Sequence, residues 1–122
     1  MSTVLVLEDD APLRVLTVSI LHELGYDTLT AENAAEAYAL IANRWPKVDL
    51  LFADIGLRGS MNGLELAREV VARQPGLPVI YTSGRPLTDG MEALFVEGAA
   101  FIQKPYTMQE LGALIRRMLP TG

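Results

Sequence analysis

Val4-Leu5-Val6-Leu7-Glu8-Asp9-Asp10 is the stretch from which the rest of the chain is read. An uninterrupted apolar run rich in β-formers, with no polar alternation, describes a short strand buried on both faces, as at the centre of a parallel sheet. The run stops on acids, so carboxylates stand at the carboxyl end of that strand. Asp10 then suits a helix N-cap with Pro12 in the first turn, and Leu13, Leu16, Ile20, Leu21 and Leu24 recur at helical spacing until Gly25.

The same cycle repeats along the chain. Tyr26 to Thr30 is expected as a strand, Ala34 to Arg44 as a helix closed by Trp45-Pro46, and Val48 to Ile55 as a second fully apolar strand. Leu64 to Arg73 is expected as a helix, followed by strand Pro78 to Ser83, helix Thr88 to Glu97, strand Ala100 to Lys104 and helix Thr107 to Leu119. Five strands alternating with five helices predict a doubly wound α/β fold, a parallel sheet wrapped on both faces by right-handed crossovers. Gly56 to Gly63 is the conspicuous flexible loop, directly after a strand end.

The chain has 122 residues, which predicts one domain over residues 1–122, and its 50% hydrophobic content is that of an ordinary globular protein. A formal net charge of -5 offers no electrostatic footprint for a nucleic-acid backbone, so direct DNA or RNA binding is not expected. Without cysteine there is neither a disulfide framework nor a thiolate metal site, and a cytoplasmic address is the default. Apolar stretches are only a few residues long and no basic segment precedes the first strand, so neither a membrane span nor a signal peptide is expected.

In doubly wound sheets ligands bind outside the carboxyl ends of the strands. Those ends carry Glu8-Asp9, Asp54, Thr82-Ser83 and Lys104-Pro105, and in the order 2-1-3-4-5 they come from neighbouring strands. Each pair of carboxylates at about 4 Å repels by roughly 4 kcal/mol at an effective dielectric of about 20, so positive charge is required. Lys104 supplies one charge and a divalent cation would neutralise the rest; hard oxygen ligands without His or Cys point to Mg2+. A carboxylate beside such a metal can attack phosphorus, which makes Asp54 the candidate nucleophile, with the Ser83 hydroxyl and Lys104 ammonium for the phosphoryl oxygens.

These residues resemble the receiver domain of bacterial response regulators over essentially the whole chain. Residues 4–10 are similar to the family's first strand with its acidic pair, and Asp49-Leu50-Leu51-Phe52-Ala53-Asp54 to its phosphoacceptor strand. Pro78-Val79-Ile80-Tyr81-Thr82-Ser83-Gly84 resembles the switch-hydroxyl strand, and Phe101-Ile102-Gln103-Lys104-Pro105 the Lys-Pro strand. The resemblance implies a flavodoxin-like fold, with Asp54 as phosphoacceptor, Glu8, Asp9, Asp54 and the Gly56 carbonyl as Mg2+ ligands, and Ser83 and Phe101 as switch residues. It favours Ser83 over Thr82 because the family's hydroxyl residue precedes a small residue, here Gly84. It implies a signalling switch rather than an enzyme with external turnover, and as phosphodonor a histidine kinase or histidine phosphotransfer protein. Arg58, where the family usually has proline, and a loop to Gly63 one residue longer than the commonest form depart from the pattern. Arg85 lies where the family varies groups that modulate dephosphorylation, and the Lys104-Pro105 bond is a cis candidate.

Taken singly, each of these groups has an ordinary explanation. Asp10 is better read as an N-cap than as a ligand, Ser83 alone as a turn residue and Lys104 alone as a surface lysine. His22 reads as an exposed helical residue rather than a phosphodonor, and Met91, Met108 and Met118 as core or face-filling side chains. A flavodoxin-like nucleotide binder would want backbone donors after the first strand, where Glu8-Asp9 stand; a phosphohydrolase would want a further acid near Asp54, where Ile55 and Gly56 follow. A protein-binding relative that is never phosphorylated has no need of every one of these polar groups. The short flanks, Met1 before the first strand and Pro120-Thr121-Gly122 after the last helix, favour a natural single-domain protein over a piece of a hybrid kinase.

Overall fold

A computed structural model of the chain describes residues 2–43, 47–56 and 63–119. Five parallel strands form one sheet in the order β2-β1-β3-β4-β5. They are β1 (Thr3–Leu7), β2 (Asp27–Ala31), β3 (Leu50–Asp54), β4 (Val79–Ser83) and β5 (Ala100–Gln103). The helices are α1 (Ala11–Glu23), α2 (Ala34–Ala42), α3 (Gly63–Arg73) and α4 (Met108–Met118). The unbroken apolar runs become the central strands: every residue of β3 and β4 is buried, because helices cover both faces of the sheet.

Alternation along each strand sends side chains to two cores. Leu5, Leu7, Leu51, Ala53, Val79 and Tyr81 face α2 and α3 in one. Val4, Val6, Leu50, Phe52 and Ile80 meet Ile20 and Leu21 of α1 and Leu111 and Ile115 of α4 in the other. Capping sets the helix starts: Asp10 Oδ1 accepts from Leu13 N at 3.1 Å, and Asn33 Oδ1 from Glu36 N at 2.9 Å. Thr107 and Glu110 form a reciprocal capping box at the start of α4.

One expected helix is absent. The sequence predicts a helix over Thr88 to Glu97, but only a single 3-10 turn forms there, Met91–Leu94, entered through Gly90 at φ +85°. Met91, Phe95, Val96 and Ala99 do recur at helical spacing, yet none of residues 84–99 is buried, so no deep apolar stripe holds a helix against the sheet. Phe95 instead turns extended and packs on Tyr81 with ring centroids 4.3 Å apart. The Val96 N–H donates to the Tyr81 hydroxyl at 3.1 Å, a bond that replaces an intrahelical one.

Other expectations shift by a residue or two. Tyr26 is buried but precedes β2, because its N–H is taken by the Leu21 carbonyl where the chain turns through Gly25 at φ +92°. Leu16, counted with the apolar stripe of α1, is 54% exposed, as is its neighbour Val15 at 67%. Met118 packs into the α1–α4 core, whereas Met108 is exposed at the start of α4. Arg44, Trp45-Pro46, Arg58 and the loop 57–62 lie outside the described residues.

Candidate functional site

The β1–β3 and β3–β4 registers carry Glu8, Asp54 and Thr82 to one level at the carboxyl edge of the sheet. Glu8 is 2% exposed and Asp54 5%, while Asp9 opens to solvent. Carboxylate oxygens of Glu8, Asp9 and Asp54 lie within 4.8 Å of one another. Lys104, just past β5, reaches over them: its Nζ is 2.7 Å from Glu8 Oε1 and 3.0 Å from Asp54 Oδ2. The other Asp54 oxygen, Oδ1, accepts from Gly56 N at 2.7 Å.

Three carboxylates against one ammonium leave an excess of negative charge, and two of the three, Glu8 and Asp54, are buried. Burial pushes the Glu8 carboxyl up to about 7, with the neighbouring Asp54 adding to the rise against the opposing pull of Lys104. Burial works against the Lys104 ammonium, but its bonds to Glu8 and Asp54 outweigh this and hold its pKa above the ordinary lysine value. A hard divalent cation such as Mg2+ fits this donor set: the clustered carboxylates are all oxygen ligands, no His or Cys joins them, and one side of the cluster faces water through Asp9.

The structure thus brings together Glu8, Asp9, Asp54 and Lys104 as the sequence predicts. Gly56 lies at the pocket too, close enough that a Cβ there would meet Asp54 Oδ1 at 3.3 Å. Ser83 and Phe101 make contacts of their own. Ser83 Oγ accepts from Arg85 N at 3.0 Å. Phe101 stacks on Phe95 with centroids 6.3 Å apart, extending the aromatic row that begins at Tyr81. The Lys104-Pro105 peptide is cis. His22 is exposed and pairs with Thr28 Oγ1 at 3.1 Å, away from the cluster.

Three supporting contacts escaped the sequence reading. Arg14 donates to the Glu8 carbonyl at 2.8 Å and pairs with Glu32 at 3.4 Å, tying the acidic loop to the start of α2. Tyr106 and Thr17 hydroxyls share a hydrogen bond of 2.6 Å beneath the site, with Tyr106 edge-on to Phe52. Gly63 begins α3 so close to the Asp54 backbone that a Cβ would stand 3.0 Å from the Asp54 carbonyl carbon. The Thr17–Tyr106 bond joins residues 89 apart, and the other two contacts cross the connections that follow β1 and β3, so no helix or strand periodicity marks them.

A doubly wound sheet with an acidic cluster and a lysine at its carboxyl edge defines a class, and comparison with known proteins agrees. The profile of the response regulator receiver domain matches residues 4–116, so the chain belongs to that family, the receiver domains of two-component signalling, which act as signalling switches. The nitrogen assimilation regulatory protein NtrX of Azorhizobium caulinodans is 36% identical over 97% of this chain and 26% of its own length. The phosphate regulon transcriptional regulatory protein PhoB of Pseudomonas aeruginosa is 33% identical over 96% of this chain and 51% of its own. The chain therefore spans about a quarter to a half of these curated relatives. Among solved structures, the receiver domain of NtrX from Brucella abortus superposes with a TM-score of 0.85 at 36% identity, covering 98% of this chain and 99% of that one. A receiver protein from Sinorhizobium medicae reaches a TM-score of 0.90 at 22% identity, a likeness of fold. Among the described residues, no helix is long and apolar enough to cross a membrane.

Proposed function

We propose that the chain is a single receiver domain over residues 1–122 that accepts a phosphoryl group on Asp54 from a phosphohistidine. The observation that carries this reading is the Lys104 ammonium bridging Glu8 and Asp54 at 2.7 and 3.0 Å beside Asp9. An Asp54 carboxylate oxygen attacks phosphorus; the new P–O bond forms as the P–N bond breaks, and the imidazole nitrogen keeps the electron pair. Glu8, Asp9, Asp54 and the Gly56 carbonyl would hold Mg2+, which supplies charge neutralisation for the transferring oxygens. Lys104 stabilises the same oxygens as a compact cation, and Ser83, two residues from Arg85, turns its hydroxyl toward the transferred group.

Phosphorylated Asp54 would carry close to two negative charges in place of one, which favours inward movement of Ser83 and repacking of Phe101. That movement would alter the surface formed by β5, α4 and the 3-10 turn, and so the affinity for a downstream protein. The donor would be a histidine kinase or phosphotransfer protein docking on α1, where exposed Val15 and Leu16 lie on the helix capped by Asp10. The chemistry is confined to the protein's own phosphorylation and dephosphorylation, without external turnover, and a cytoplasmic location belongs to the same proposal.

Intact-mass analysis with a small-molecule phosphodonor tests the reading. A single Mg2+-dependent adduct on the native chain, absent from Asp54→Asn, is expected. No adduct on the native chain would overturn the proposal in favour of a non-phosphorylated interaction module.

A further inference from the structure

Thr82 is paired in register with Asp54 on one side and with Ile102 on the other. Ile80 and Phe52, each two residues earlier on the same strands, pack in one core, so alternation sends the Thr82 and Asp54 side chains to the same face. Thr82 is 0% exposed, and its Oγ1 has no hydrogen-bond partner among the described residues. The Thr17 and Tyr106 hydroxyls behave differently: they bond each other at 2.6 Å, and Thr17 also donates to the Leu13 carbonyl at 2.9 Å. An orphaned buried hydroxyl is less stable than the methyl group of isosteric valine, which makes threonine at this position a structural disadvantage in the unmodified chain.

Asp54 makes no hydrogen bond to Thr82 in this state. Its Oδ1 is taken by Gly56 N at 2.7 Å and its Oδ2 by Lys104 Nζ at 3.0 Å. On the reading proposed above, on which this inference rests, Lys104 turns toward the oxygens of the transferred group, and Asp54 loses a donor. We propose that Thr82 is a positioning residue for the phosphorylated state: its hydroxyl, idle beforehand, donates to the Asp54 carboxyl oxygen that Lys104 releases and orients the acyl phosphate. A disadvantage carried by one state thereby becomes a preference for the other.

The test compares the full native chain with Thr82→Val and Thr82→Ser. Thermal unfolding is recorded first without Mg2+, then with Mg2+ and increasing beryllium fluoride as the phosphoryl mimic. Thr82→Val is expected to raise Tm of the unmodified chain by roughly 3–6 °C while weakening beryllium fluoride binding about fivefold to tenfold. Thr82→Ser, which keeps the hydroxyl, is expected to restore most of that binding, a rescue that a side chain needed only for packing would not give. Beryllium fluoride affinity in Thr82→Val within about twofold of native overturns this inference alone. A native chain that takes neither beryllium fluoride nor a phosphoryl adduct overturns it together with the phosphoacceptor reading.

Discussion

Asp9 and Gly63 show how closely the site is balanced at the scale of single residues. Asp9 adds a third carboxylate to a cluster whose ammonium is already bonded to the other two. In metal-free buffer Asp9→Asn is therefore expected to stabilise the chain by about 0.5–1 kcal/mol, read as a higher urea midpoint. Mg2+ should stabilise the native chain in proportion to the logarithm of its concentration above the dissociation constant, and Asp9→Asn should abolish most of that gain. An unchanged Mg2+ response would remove Asp9 from the metal site. Gly63 is constrained by space: an added Cβ would lie 3.0 Å from the Asp54 carbonyl carbon and 3.2 Å from the Ile55 Cα, backbone atoms that cannot yield. Gly63→Ala should cost about 2 kcal/mol or more in the same urea titration, by prying α3 from the strand that carries Asp54.

Among the elements, the segment between β4 and β5 departs furthest from expectation, and Tyr81 is the residue that holds it. Its ring packs on Phe95 and its hydroxyl accepts the Val96 N–H. Tyr81→Phe is expected to lower stability by about 1 kcal/mol and to speed amide exchange across residues 91–99 ahead of the rest of the sheet. Burial pushes the Tyr81 hydroxyl pKa above its ordinary 10.0, although the Val96 bond opposes this. The folded chain thus keeps its proton where the unfolded chain has lost it. The stabilisation is full below pH 10.0 and fades as pH rises through the folded value. Alkaline unfolding should be shallower in Tyr81→Phe; identical slopes above pH 10.0 would show that Tyr81 is not responsible.

Across the whole molecule, the carboxyl edge and the β4–β5 surface are linked through Lys104, whose backbone N–H donates to the Ser83 carbonyl at 2.9 Å while its ammonium holds Glu8 and Asp54. If modification at Asp54 redirects that ammonium, the change reaches β4, β5 and the 3-10 turn before it reaches β2. Beryllium fluoride with Mg2+ should then alter amide exchange over residues 82–104 by several-fold while α2 and β2 change little. A uniform response over all elements would mean general stabilisation by ligand instead of a directed switch.

Much of this architecture and half of the site were legible from the residues alone. Buried parallel strands read as unbroken apolar runs, and the turn from each strand into its connection leaves polar groups at predictable places; Glu8, Asp9, Asp54 and Lys104 each stand at such an end. Local sequence determined these because strand length, caps and strand ends are local properties. It did not determine the fate of residues 88–97, whose helical spacing was overruled by the Tyr81 ring and hydroxyl. Nor did it determine the Arg14 brace, the close approach of Gly63 or the unpartnered Thr82 hydroxyl. Each of these depends on where the assembled strands and their connections place the groups, and whether a polar atom is satisfied or a helix has a surface to lie on is decided only when the sheet has assembled.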